Sequence, residues 1–361
     1  MYQPYSSPLL KKINYKNIDP EISHLFYLLS LHILQNQPDS KIVNRKLYAF
    51  DKTLSVKLFG LNFNNPIGLA AGFDKQGLAV KTLSELGFGH IEVGTVTPLP
   101  QYGKEKHRFS FLTEDNALIN RFGFANDGIE HLKHNLSKEK KRDYILGINI
   151  GPNEKSIEEG NAIKDYTICI ENLYKYCDYF AINISSPNTK GLRLLHAKKE
   201  FDELLASIFK RIKTLRINNP ILVKISPDLS EREIHELLDV ISSYTVAGII
   251  ATNTTLNRPA NLISSKKYQL GGLSGKPLKK RSTEIIRIIY KHTKGKLPII
   301  GVGGIFNAND ALEKIQAGAS LIQLYTGFTY KGPVIIKSIN EGIITYMKNN
   351  KITEIKELVN T

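Results

Sequence analysis

The sequence contains no tryptophan, two methionines and only two cysteines, Cys169 and Cys177, in 361 residues. Two cysteines are too few for a disulfide framework or a structural zinc site, and they fit a reducing compartment. The chain has no uninterrupted apolar run of about 18 residues, which argues against a membrane-spanning helix. The nine histidines show no metal-ligand spacing, so no metal site is expected. The N-terminus also lacks the features of a secretory signal.

Acidic residues are scarce relative to basic ones: 34 Asp and Glu against 49 Lys and Arg give a formal charge of +15. Such an excess is compatible with nucleic acid, an anionic membrane surface or an anionic ligand. The lysines lie in short clusters, as at 138–142 and 279–281, which is more typical of solvated surface than of a binding stripe. With 42% hydrophobic and 23% charged residues, the composition is that of a soluble globular protein.

The first 44 residues form a separate extension. Asp19 is a candidate N-cap, Pro20 suits the first helical position, and Glu21 suits the positive end of the helix dipole. Apolar residues then recur at helical spacing, at Ile22, Leu25, Phe26, Leu29 and Ile33, with Leu28 widening the stripe. Residues 8–13 are a second, shorter amphipathic candidate. These segments either pack on the main core, as a lone amphipathic helix usually does, or lie on a membrane.

Residues 45–361 show a different hydrophobic pattern, in which short apolar runs alternate with helical segments. Residues 56–63 alternate around Gly60 like a small hairpin. Eight short runs rich in Ile, Val and Leu follow, at 65–72, 90–97, 144–151, 179–185, 220–226, 247–254, 297–304 and 321–327. Helical patterns separate them, for example at 199–215, 231–242, 282–292 and 309–317. Buried parallel strands alternating with helices predict an α/β fold, a (β/α)₈ TIM barrel with a short N-terminal helical extension.

Active sites of such barrels gather at the C-terminal strand ends. The Gly301-Val302-Gly303-Gly304 turn, and Gly327 after the last strand, stand where barrels often bind phosphate. Lys75 and Lys224 would place cations there, although Lys75 could simply pair with Asp74. Ser186 has no histidine adjacent in sequence, so a serine hydrolase is not indicated.

Asparagine is also concentrated at these ends. Asn149, Asn183 and Asn253 end strands, while Asn120 and Asn188 lie in nearby loops. One asparagine alone would be ordinary turn chemistry. Five at one barrel mouth instead suggest recognition of a planar ring with alternating N–H and C=O groups, since a carboxamide both donates and accepts hydrogen bonds.

Several segments together resemble the class 2, quinone-dependent dihydroorotate dehydrogenases. They are Ala70-Ala71-Gly72-Phe73-Asp74-Lys75, Gly94-Thr95-Val96-Thr97-Pro98, Asn120-Arg121-Phe122-Gly123-Phe124, Asn183-Ile184-Ser185-Ser186-Pro187-Asn188-Thr189, Ala251-Thr252-Asn253-Thr254-Thr255, Gly271-Gly272-Leu273-Ser274-Gly275 and the Gly301–Gly304 turn. They occur in order over nearly the whole chain. The resemblance implies an FMN enzyme that oxidises dihydroorotate to orotate in pyrimidine biosynthesis.

The resemblance also implies roles for individual residues. Ser186 would be the catalytic base, where class 1 relatives carry cysteine. FMN would contact Ala71, Gly72, Phe73, Asp74, Lys75, Thr95, Asn149, Asn183, Lys224, Thr252, Gly275, Gly304, Tyr325 and Thr326. The substrate would contact Lys75, Asn120, Arg121, Phe122, Gly123, Phe124, Asn183, Asn188, Asn253 and Thr254. A serine hydroxyl is a weak base, so Ser186 needs a partner or a water relay in a site closed to solvent.

The same resemblance assigns the extension to a membrane-docked mouth that admits a quinone, ubiquinone in particular. It implies a peripheral protein on the cytoplasmic face of a bacterial inner membrane, with no nucleic-acid partner. Phe111 departs from the family, which often has an arginine there that contacts the quinone, and Ala125 stands where members often have asparagine. Two alternatives remain: a flavin barrel that acts on tRNA uridines, and a basic nucleic-acid-binding protein that holds no flavin.

Overall fold

A computed structural model describes residues 19–35, 51–105, 107–138 and 142–361. Its strands are β1 (Val56–Leu58), β2 (Leu61–Phe63), β3 (Ile67–Leu69), β4 (His90–Val96), β5 (Phe109–Leu112), β6 (Ala117–Asn120), β7 (Ile145–Ile150), β8 (Tyr179–Asn183), β9 (Ile221–Ile225), β10 (Gly248–Ala251), β11 (Gly272–Gly275), β12 (Ile299–Val302) and β13 (Leu321–Leu324). Its helices are α1 (Pro20–Gln35), α2 (Val80–Glu85), α3 (Gly128–Ser137), α4 (Glu154–Glu158), α5 (Ala162–Leu173), α6 (Lys198–Leu215), α7 (Glu231–Ile241), α8 (Lys279–Thr293), α9 (Ala308–Gln316), α10 (Thr326–Lys331) and α11 (Val334–Asn349).

Eight parallel strands close into a barrel in the order β3, β4, β7, β8, β9, β10, β12, β13. Each lies within one of the eight predicted apolar runs, and all eight are almost fully buried. The (β/α)₈ prediction is therefore confirmed. The reason is that strands covered on both faces, by the barrel interior and by helices, must be apolar along their length.

A second, three-stranded antiparallel sheet lies outside the barrel, in the order β11, β6, β5. The local sequence pattern does not predict this sheet. β5 and β6 form a hairpin, but β11 joins them from more than 150 residues away, with Gly272 paired to Asn120. This sheet carries the loop that follows Asn120 towards the C-terminal end of the barrel.

Helix α1 begins as predicted, since the Asp19 carboxylate accepts the Glu21 amide at 2.8 Å. It packs on the barrel through Tyr27, Leu28 and Leu31, which are all buried. The predicted stripe is instead exposed: Ile22 49%, Leu25 49%, Phe26 61%, Leu29 40% and Ile33 61%. Of the two alternatives, the helix does pack on the core, but through a face other than the stripe, and Leu28 belongs to that buried face and not to the stripe.

Of the described helices, none combines the length and apolarity that crossing a membrane requires. The second amphipathic candidate at 8–13 and the proposed boundary between residues 44 and 45 lie outside the described residues.

Candidate active site

A cleft of about 1010 Å³, part of it open to solvent, lies at the C-terminal end of the barrel. Its wall is made by the segments that follow the strands, as the barrel architecture requires. The predicted residues that line it are Ala71, Gly72, Lys75, Thr95, Asn120, Phe122, Gly123, Phe124, Asn183, Ser186, Asn188, Lys224, Thr252, Asn253, Thr254, Gly275, Gly304, Tyr325 and Thr326. Residues as far as 255 positions apart in the sequence, Ala71 and Thr326, thus line one cleft.

Four predicted residues do not line this cleft. Phe73 and Asp74 are buried beside it, and Asp74 accepts hydrogen bonds from the Leu78 and Ala79 amides, both at 2.9 Å. Because its carboxylate is engaged there, Asp74 is not the ion-pair partner that Lys75 was suggested to have. Asn149 lies behind the wall, and Arg121 lines a separate shallow pocket.

The carboxamides are oriented by a hydrogen-bonded network. Asn183 Nδ2 donates to Thr95 Oγ1 at 2.9 Å and to Asn149 Oδ1 at 3.1 Å. Asn253 Nδ2 donates to Asn183 Oδ1 at 3.3 Å and to Ser185 Oγ at 3.0 Å. Because one bond fixes which end of each amide is the donor, the network presents a defined pattern of donors and acceptors to the cleft.

A buried carboxylate, Glu92 of β4, lies beneath the cleft. It is fully buried and its Oε1 lies 3.8 Å from the ammonium of Lys224. It also accepts from Asn149 Nδ2 at 2.9 Å, Tyr179 OH at 3.1 Å and Gln323 Nε2 at 2.8 Å. Burial lowers the pKa of Lys224, and the charge of Glu92 opposes that shift. Glu92 and Gln323 were missed, although polar residues within otherwise apolar strands were the available signal.

Lys75 is the second cation of the site. Its Nζ lies 3.4 Å from the centre of the Phe122 ring, a cation–π contact. Desolvation, and then the nearby Arg108, lower the pKa of Lys75 to about 7, while the charge of Glu21 opposes them. Glu21 is on α1 and forms a two-point ion pair with Arg108, one contact of which joins Nε and Oε2 at 3.1 Å. Helix α1 therefore contributes a charge, that of Glu21, which influences the pKa of a lysine lining the cleft.

Ser186 is buried at the cleft wall, with 6% of its surface exposed. Its Oγ accepts the Asn188 amide at 3.3 Å and the Thr189 hydroxyl at 3.2 Å. Thr189 is itself buried and was not predicted as a site residue. It places a second hydroxyl within hydrogen-bond distance of Ser186.

The opposite end of the cleft is built from glycine. Gly303 and Gly304 have φ values of +123° and +74°. A Cβ at Gly304 would lie 2.6 Å from Lys279 Cα and 2.8 Å from Lys279 N, so no other residue fits. Backbone here closely approaches both the cleft and the start of α8, the geometry of an anion-binding turn.

A family model described as dihydroorotate dehydrogenase matches residues 53–347, most of the chain and the whole barrel. The chain belongs to the dihydroorotate dehydrogenase family. This confirms the resemblance found in the sequence, and makes the chain an oxidoreductase.

The similarity to other dihydroorotate dehydrogenases extends beyond the barrel. Proteins named dihydroorotate dehydrogenase (quinone) from Christiangramia forsetii and Escherichia coli are each 46% identical to it. They cover 95% and 94% of this chain, and 99% of their own lengths. The crystal structure of DHODH from Eimeria tenella in complex with ferulenol has a TM-score of 0.88 at 34% identity. It covers 97% of this chain and 96% of its own. The ligand-free form from the same organism has a TM-score of 0.86, covering 94% of this chain and 98% of its own.

Proposed function

We propose that this protein oxidises (S)-dihydroorotate to orotate and passes the electrons through FMN to a membrane quinone, as a step of pyrimidine biosynthesis. One observation carries the proposal. A single cleft combines the buried hydroxyl of Ser186, the ammonium of Lys75 and a set of oriented carboxamides. This is the set of groups needed to hold a planar cyclic amide and remove a proton from it.

The cleft suits FMN. The Gly303–Gly304 turn and the Tyr325–Gly327 segment offer backbone at one end of the cleft, where a phosphate would bind. Lys224 offers a cation to the ring system. Besides these, the lining residues that would hold the cofactor are Ala71, Gly72, Lys75, Thr95, Asn183, Thr252, Gly275 and Thr326. FMN, when bound, supplies the hydride acceptor that no amino-acid side chain can replace.

Substrate binding falls to a second set of lining residues, which shares Lys75 and Asn183 with the first. The carboxamides of Asn120, Asn183, Asn188 and Asn253 would pair with the amide edges of the ring. Asn188 is held for this by its bond from Nδ2 to the Asn120 carbonyl, at 3.0 Å. Lys75 would bind a negatively charged or carbonyl oxygen of the substrate.

Proton removal falls to Ser186. As one ring carbon loses a hydride, the neighbouring carbon loses a proton to Ser186 Oγ. Ser186 would pass its own hydroxyl proton to Thr189 Oγ1, and Thr189 would pass its own hydroxyl proton to a water molecule that connects to solvent, because the two hydroxyls can reverse the direction of their 3.2 Å hydrogen bond. Both side chains are buried, so the proton leaves the substrate away from bulk water and reaches solvent only through this relay.

The electron acceptor would enter beside α1. The exposed apolar face of this helix suits an interfacial helix on a membrane, and supports a peripheral location on the cytoplasmic face of a bacterial inner membrane. Phe111 packs against Phe109 and Tyr330, with ring centres 5.4 and 5.5 Å away. Any contact of a quinone with residue 111 would therefore be made by an aromatic ring. Many members of the family would make it with an arginine instead.

The test is spectroscopic. The purified protein should be yellow, and anaerobic dihydroorotate should bleach it. Ser186→Ala should keep the flavin but lose most of its reduction at neutral pH, and Ser186→Cys should be partly active. A protein that cannot take up FMN, and instead binds RNA with a steep salt dependence, would refute the proposal. Unchanged reduction in Ser186→Ala would refute the assignment of the base.

A further inference from the structure

Lys314 of α9 is a fully buried lysine that the proposed mechanism does not use. Its ammonium donates to three uncharged oxygens: the Lys279 carbonyl at 2.8 Å, Ser282 Oγ at 3.0 Å and Thr283 Oγ1 at 2.7 Å. All three acceptors lie in the first turns of α8. Desolvation lowers the pKa of Lys314 to about 7. Burying an ammonium that hydrogen-bonds only to neutral groups lowers the stability of the fold, so a functional reason for its presence is expected.

Each of two acceptors links Lys314 to the glycine turn. Ser282 Oγ accepts from Lys314 and donates to the Val302 carbonyl at 2.6 Å, directly before Gly303. Lys279, whose carbonyl also accepts from Lys314, is the residue on which Gly304 packs. Lys314 therefore fixes the start of α8 against both ends of the turn that lines the cleft.

Three charged side chains near Lys314 pair with one another. Lys279 Nζ lies 2.6 Å from Asp310 and 2.7 Å from Glu313, so these three side chains form their own ion-pair cluster. Asp310 also accepts the Phe306 amide at 2.9 Å. Lys314 adds a positive charge behind the turn without a hydrogen-bonded carboxylate of its own among the described residues, and that charge favours an anion on the cleft side.

We propose that Lys314 is a positioning residue for the anionic end of the cleft, holding the Gly303–Gly304 turn and the start of α8 in the arrangement that binds the phosphate of FMN. The inference rests on the proposed function, since it presumes that a flavin phosphate binds there. It predicts that Lys314 controls recognition of the phosphate and leaves recognition of the ring system to the rest of the cleft.

The experiment compares FMN with riboflavin, which lacks the phosphate. Flavin-depleted protein is titrated with each, and quenching of flavin fluorescence gives both dissociation constants. Lys314→Met should weaken FMN binding by about tenfold or more, the order expected when a charge-assisted arrangement is lost. Riboflavin binding should change less than about twofold. The control is Lys291→Met, at an exposed lysine of α8; it removes a lysine charge away from the turn and should change neither constant.

A second variant covers the case in which Lys314→Met does not fold. Thr283→Val removes one acceptor of Lys314 without touching the turn, and should lower the preference for FMN over riboflavin in the same direction. If both variants fold and keep the full preference for FMN over riboflavin, Lys314 does not have the proposed role. The same follows if Lys291→Met loses the preference equally. Either result leaves the proposed function intact. A parent protein that binds neither flavin overturns the proposed function and this inference with it.

Discussion

Replacing Glu92 with glutamine should destabilise the protein by about 3–5 kcal/mol, because a buried charge left without its partner is strongly unfavourable. Glu92 is fully buried and Lys224 is 5% exposed, so water cannot replace the lost carboxylate. The amide would also direct N–H groups at side chains that already donate. Oε1 accepts from Asn149, and Oε2 accepts from Tyr179 and Gln323. With Asn149 and Gln323 oriented as they are, one donor faces another donor whichever way the new amide turns.

The expected shift in melting temperature follows from chain length. Unfolding entropies of about 2.1 cal/mol/K per residue give, for 361 residues, about 0.8 kcal/mol per degree. A loss of about 3–5 kcal/mol therefore lowers Tm by roughly 4–7 °C. Removing both charges, as in Glu92→Gln with Lys224→Met, should recover at least half of this loss, since the double variant buries no unpaired charge.

Differential scanning calorimetry of flavin-depleted protein measures the effect without a contribution from ligand binding at Lys224. The matched control is Glu159→Gln. Glu159 pairs with Lys155 at 3.7 Å on the surface, where side-chain exposures are 52% and 83%. This change should cost less than about 1 kcal/mol. The reasoning is refuted if Glu92→Gln shifts Tm no more than the control does, or if the double variant loses the sum of the two single losses.

Three further outcomes follow from the site. Thr189→Val should keep the flavin but slow its reduction by dihydroorotate about 10²–10³-fold in stopped-flow bleaching, since it removes the hydroxyl that relays the proton from Ser186 towards solvent; an unchanged rate contradicts the relay. Orotate binding, followed by flavin absorbance, should weaken as pH rises through about 7, where Lys75 loses its charge. Glu21→Gln should move this transition to lower pH, because Glu21 opposes the lowering of that pKa; a shift upward contradicts the coupling. Phe26→Ser should reduce sedimentation with anionic vesicles, whereas Leu194→Ser, also exposed, should not; equal effects contradict docking through α1.

The barrel could be predicted because its physical requirement is local. A strand buried on both faces must be apolar throughout, and a short apolar run ended by glycine or a polar residue records that requirement in the sequence itself. The cleft followed from the same pattern. If the runs are parallel strands, their C-terminal ends meet, and this predicts Lys75, Ser186 and Lys224 at one barrel mouth, where the structure places them.

Features that depend on distant pairing could not be predicted from local pattern. β11 is a four-residue strand rich in glycine, and only its pairing with β6 makes it a strand. Helix α1 shows a related limit. Apolar residues lie on both its faces, so helical periodicity could not tell which face meets the barrel. In the structure the face with Tyr27, Leu28 and Leu31 packs on the barrel, and the predicted stripe is exposed to solvent.

Part of the positive charge of the chain lies on three buried lysines in or next to the cleft. Lys75, Lys224 and Lys314 are all lysines whose pKa is lowered by burial, and two of them line the cleft while the third supports its glycine turn. Each is unfavourable as a cation in a desolvated position, and of the three only Lys224 forms an ion pair with a buried carboxylate in the described part of the chain. An anionic ligand offsets that cost at several points at once. The desolvated lysines therefore lower the stability of the folded chain and raise its affinity for anions, a trade-off that is expected at a binding site.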